Sequence, residues 1–110
     1  MTIRLSDQQI LNYKKDGVIL IKEAFIPWIE KLKIGFEKVL KQPGPYAREN
    51  VSKENPGRFF EDYCNWERID EFKDFIFNSP AAQIVAQSTS SNVIQVFHEH
   101  IFLKDPGTDK

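Results

Sequence analysis

Apolar positions along this chain keep two rhythms. From Ile29 to Leu40 they recur as Ile29, Leu32, Phe36, Val39 and Leu40, the spacing of one helix face. From Val18 to Ile21 four β-formers run without a break, which predicts a strand covered on both faces. Ahead of that run, Ser6 and Gln9 have the spacing of a capping box. They predict a first helix that turns Ile10, Leu11 and Tyr13 inward and stops at Gly17. Pro27 suits the first position of the second helix, with Ile26 a poor cap before it. Pro43 ends that helix.

Residues 41–58, KQPGPYARENVSKENPGR, are polar and broken by Pro and Gly. They predict a long flexible loop, either solvated or facing a ligand. Phe59 to Trp66 reads as extended. Ile69 to Phe77 reads as a third helix with Ile69, Phe72, Phe75 and Ile76 on one face. Ser79-Pro80 opens a fourth helix that buries Ile84 and Val85 and frays at Ser88 to Asn92. A last strand runs from Val93 to about Lys104. Two or three strands among four helices give an α+β class. So thin a sheet has open edges, which favour a homo-oligomer or strand addition by a partner.

The length, 110 residues, sets one domain as the limit. Hydrophobic residues make up 41% and include nine phenylalanines, enough apolar area for a core. The net charge of -1 gives no nucleic-acid footprint and no polybasic membrane patch. No apolar run approaches the roughly 20 residues of a membrane span, and MTIRLSDQQI lacks the apolar centre of a signal peptide. A single cysteine, Cys64, forms no internal disulfide and excludes a thiolate zinc site. A reduced, cytoplasmic setting fits these features. Asn50-Val51-Ser52 matches a glycosylation sequon, read as chance without a secretory signal.

His98 and His100 are the only histidines. Two residues apart on a strand, they share a face with Cα atoms ~6.5–7 Å apart, so both imidazoles can reach one metal ion. A third ligand is missing locally. Glu99 points to the other face, Asp105 lies past the strand, and Glu61 or Asp62 arrives only through folding. Two histidines on a half-buried strand, satisfied by hydrogen bonds, is therefore the stronger reading, with no metal assigned. Nothing local pairs Cys64 with a base, and the five glycines sit singly, without a phosphate cradle.

Three stretches together carry a resemblance: KKDGVILIKEAF followed by IEKLKIGFEKVL, then GRFFEDYCNWERIDEFKDFIFNSPAAQIVAQ, then VFHEHIFLKDPGT. In order and spacing the chain resembles the N-terminal part of the phytanoyl-CoA dioxygenase family, oxygenases dependent on iron(II) and 2-oxoglutarate. The resemblance implies N-terminal helices packed on the first strands of a double-stranded β-helix (jelly roll), with the barrel incomplete within residues 1–110. It implies a small organic substrate. Family members bind iron through a His-x-Asp pair and a distant histidine, and hold 2-oxoglutarate with an arginine. No residue of this chain matches those positions, since His98-Glu99-His100 has no carboxylate third, so the chain alone is expected to bind no cofactor and to be inactive. The position of His100 matches one that touches 2-oxoglutarate, and His98 shares its face. Lys104 shares it too, nearer the rim. Two other readings stand beside the oxygenase fragment: a non-catalytic module that dimerises or binds through its sheet edge, and a small metal-binding protein using His98 and His100.

Overall fold

A computed structural model of the protein describes residues 2–50, 53–54 and 57–108. Val51 and Ser52 of the sequon therefore lie outside the described residues. The class is α+β, with four α-helices and one three-stranded antiparallel sheet among the described residues. The residues form two compact units, Met1–Glu30 with Asp74–Val96, and Lys31–Lys73 with Phe97–Lys110.

In the first unit, α1 (Asp7–Asp16) begins as its sequence dictates. The Ser6 hydroxyl accepts from Gln9 N–H, and the Gln9 side chain accepts from Ser6 N–H. Gly17 closes the helix at φ 73°, donating its N–H to Tyr13 O at 2.8 Å. Ile10 and Tyr13 are half-buried as expected, but Leu11 is exposed. The predicted strand at Val18–Ile21 does not form. Val18 is 68% exposed and Leu20 77%, because no neighbouring strand comes alongside to pair and cover them. Ile26–Trp28 is a 3-10 turn containing Pro27, and the α-helix proper, α2 (Ile29–Lys41), starts after it. Phe75 receives Phe25 and Trp28 edge-on, at 5.2 and 5.8 Å between ring centres. Ser79 Oγ accepts from Ala81 N–H at 3.2 Å, opening α4 (Ala81–Thr89). Ser90, in the left-handed region at φ 54°, ends it without fraying. Val85 is exposed rather than buried. Gln87 ties the N-terminal segment to α4: its Oε1 accepts from Leu5 N–H and its Nε2 donates to Ile3 O, both at 2.8 Å.

The second unit holds the sheet, in the order β1 (Arg48–Glu49), β2 (Phe59–Tyr63), β3 (His100–Lys104). The stretch read as a loop thus contributes a short strand, fastened by the bidentate Arg58–Glu49 ion pair. The last strand is shorter than its sequence suggests. It begins at His100, where pairing with Tyr63 begins, and Val93 is 82% exposed. The extended run from Phe59 likewise stops at Tyr63, because Cys64 adopts φ 62° and turns the chain. Val39, Phe60, Ile69 and Phe72 make the core, with Leu32, Leu40, Trp66, Ile101 and Leu103 around it. Helix α3 (Asp70–Asn78) brings Phe72 against Gly35 of α2, where any added Cβ would meet the Phe72 ring at 2.7 Å.

Glu71 lies beside this core with Lys38 against both carboxylate oxygens. That contact, with Lys31 adding to it, holds the Glu71 carboxyl below the usual range despite burial. A carboxylate that stays ionised further down in the folded state stabilises the fold at neutral pH. The contribution fades as pH falls through the folded-state pKa. Lys38 is half exposed, so the pair stabilises by only about 1 kcal/mol. In urea titrations Glu71→Gln should be less stable than the parent by that amount at pH 7, and the gap should start to shrink as pH falls below the ordinary glutamate value of about 4.3 and close as it passes the lower folded-state value. A gap that persists in acid would mean that the loss is not electrostatic.

Candidate functional site

Register decides which side chains of the sheet face outward. Phe60 and Asp62 of β2 point inward, and Phe59, Glu61 and Tyr63 point to the opposite face. Cross-strand pairing sets Lys104 beside Phe59, Phe102 beside Glu61 and His100 beside Tyr63. On the other side, Arg48 of β1 pairs with Glu61 and so shares the outer face.

The outer face carries a strip of rings. Tyr46 stacks on Tyr63 at 4.7 Å and 15°. Tyr63 touches both imidazoles, at 5.0 Å for His100 and 5.5 Å for His98. His100 stacks on Phe102 at 4.2 Å, and Phe102 meets Phe59 edge-on at 6.3 Å. Lys104 Nζ stands over Phe59, 5.5 Å from the ring centre. His100 Nε2 lies 3.9 Å from Glu61 Oε2, at the outer limit of an ion pair. The strip offers flat apolar surfaces, imidazole and phenol donors, and the cations Arg48 and Lys104 at its margins. Such a face can hold a small anionic or ring-bearing molecule.

His98, just ahead of β3, and His100, its first residue, both lie against the Tyr63 ring, with their own ring centres 6.4 Å apart. Both are exposed rather than half-buried. Glu99 turns away, and its carboxylate accepts the N–H groups of Asn65 at 2.5 Å and Trp66 at 2.9 Å. Asp105 is used structurally, accepting from Arg58 N–H at 2.9 Å. Asp62 is fully buried and accepts from Gly44 N–H at 2.7 Å and its neighbour Tyr63 N–H at 2.8 Å. Cys64 is exposed and free. Among the described residues no three His, Cys, Asp or Glu side chains are grouped so as to hold a metal.

Sequence reasoning missed Tyr46, Tyr63 and Phe102. The alternation Phe59-Glu61-Tyr63 was a usable signal for Tyr63. Nothing local marks Tyr46, which follows a turn whose Gly44 amide donates to Asp62. No family model, curated protein or solved structure matches this chain. No helix among the described residues is long and apolar enough to cross a membrane.

Proposed function

We propose that residues 1–110 are the N-terminal portion of a phytanoyl-CoA dioxygenase-like enzyme. In this reading it is a cytoplasmic oxygenase dependent on iron(II) and 2-oxoglutarate that hydroxylates a small organic substrate. The outer face of the sheet then forms one wall of the cosubstrate pocket, as the inner wall of a jelly roll. His100 contacts 2-oxoglutarate, His98 lies beside it, and Tyr63 and Phe102 flank the imidazole. One observation supports this above the others: His98 and His100 stand together on an open, ring-lined sheet face while Glu99 is committed elsewhere. In this reading the iron ligands, a His-x-Asp pair and a distant histidine, belong to residues other than His98 and His100.

The test is anaerobic titration with ferrous iron and 2-oxoglutarate, followed by their charge-transfer absorption. Residues 1–110 alone should show no band. The same residues joined to whatever the gene encodes after Lys110 should show one. In that protein His100→Ala should weaken 2-oxoglutarate binding about tenfold, the scale of one lost hydrogen bond. Absence of the band from the longer protein overturns the reading.

The runner-up is a non-catalytic module that dimerises through the sheet edge. It is favoured by β3 lying at the edge, with Phe102 exposed on it and Phe97 exposed just ahead of it. Sedimentation separates the two: a stable monomer at high concentration excludes edge pairing.

A further inference from the structure

Away from the ring strip, the second unit has a cavity of about 290 Å³ lined by Lys38, Lys41, Gln42, Arg68 and Ile69. That volume is at the lower edge of small-ligand pockets, roughly 300–1,000 Å³. Three of its five lining side chains are cationic. Their partners differ in a way that matters. Lys38 is paired with Glu71, which offsets much of its charge. Among the described residues, Lys41 and Arg68 contact no carboxylate.

Arg68 is nevertheless held firmly. Its Nε donates to Asn65 Oδ1 at 2.9 Å, and Nη2 donates to the Gln42 carbonyl at 2.7 Å. Asn65 is almost completely buried, and its amide donates to Tyr63 O at 3.3 Å, so the guanidinium rests on a rigid support. Gly44 makes room for it: a Cβ there would stand 2.5 Å from Asn65 Oδ1. Both acceptors are neutral, so the positive charge is oriented but not compensated. A fixed guanidinium with donors to spare, beside a free ammonium, is the arrangement that recognises a tetrahedral oxyanion.

We propose that this cavity binds the phosphoryl group of a phosphate monoester, with Arg68 and Lys41 as its principal contacts. Lys38 adds positive potential, although Glu71 reduces its share. Ile69 gives one apolar side against which the first carbons of the ester rest. Two uncompensated cations match a phosphate dianion better than a single carboxylate. The site is separate from the His98–His100 face and does not depend on the oxygenase reading.

Lys41 and Arg68 also sit at the C-terminal end of α2, where cations offset the helix dipole. A capping role alone would lower the melting temperature on substitution but would give no phosphate dependence. The experiment is amide chemical-shift titration of the 110-residue chain at constant ionic strength, with three probes. They are inorganic phosphate, glycerol 3-phosphate, and vesicles of phosphatidic acid in phosphatidylcholine. Saturable shifts should centre on Lys41, Gln42, Arg68 and Ile69. The probe bound most tightly tells a free phosphate from a soluble ester or a lipid headgroup. Lys41→Ala, a change at an exposed side chain, should weaken binding about fivefold. Arg68→Lys should weaken it by about tenfold, because the ammonium loses the fork geometry. The proposal fails if none of the three probes gives saturable shifts at these residues, or if both variants titrate like the parent.

Discussion

Asp62→Ala should destabilise the protein by about 3 kcal/mol, because two hydrogen bonds to a buried side chain are lost together and their donors are left unpaired. The carboxylate is fully buried and takes the Gly44 and Tyr63 amides. Alanine leaves those N–H groups without an acceptor and opens a space beside Asn65. The effect should reach the ring strip as well. Gly44 anchors the turn that carries Tyr46, and the Gly44 carbonyl accepts from Ala47 N–H. Once that anchor goes, Tyr46 should leave Tyr63. Urea denaturation measures the first effect, and ring-current shifts of the Tyr63 protons measure the second. A variant that loses stability but keeps the shifts would show that the stacked pair holds itself together.

Phe60→Ala should cost about 3–5 kcal/mol, the range for emptying an aromatic position in a packed core. Phe60 is 2% exposed, pairs across the sheet with Leu103, and belongs to one cluster with Val39, Ile69 and Phe72. A domain of this size is stabilised by only about 5–15 kcal/mol in total. The variant should therefore unfold at a much lower urea concentration, or be partly unfolded without any. The neighbouring Phe59 faces outward, and Phe59→Ala should change stability far less. Equal losses at the two positions would mean that the register of β2 is wrong, since a shift by one residue exchanges the two faces.

Several elements were legible from local chemistry. Ser6, Gln9 and Gly17 fix the ends of α1 through side-chain caps and one left-handed residue, all within eleven positions of one another. The apolar spacing from Leu32 to Leu40 identified the face of α2 that meets the core. Strand prediction was less secure. Val18–Ile21 and Val93–Val96 have strong β-forming composition, yet neither is a strand. A strand exists only where a partner supplies the other half of its hydrogen bonds, and composition cannot report a partner. Phe59 to Tyr63 has that partner in β3, and the pairing ends where Cys64 turns the chain.

Alone, the sequence determined the α+β class, the ends of α1 and the closeness of His98 to His100, because each follows from patterns within a few residues. Tertiary structure alone decided that Tyr46 joins the ring strip, that Glu99 is spent on the Asn65–Trp66 turn, and that Arg68 meets Lys41 across a cavity. Those outcomes bring together residues up to 34 positions apart, as Asn65 and Glu99 are. Their geometry comes from strand register and the packing of α2, not from any local pattern in the chain.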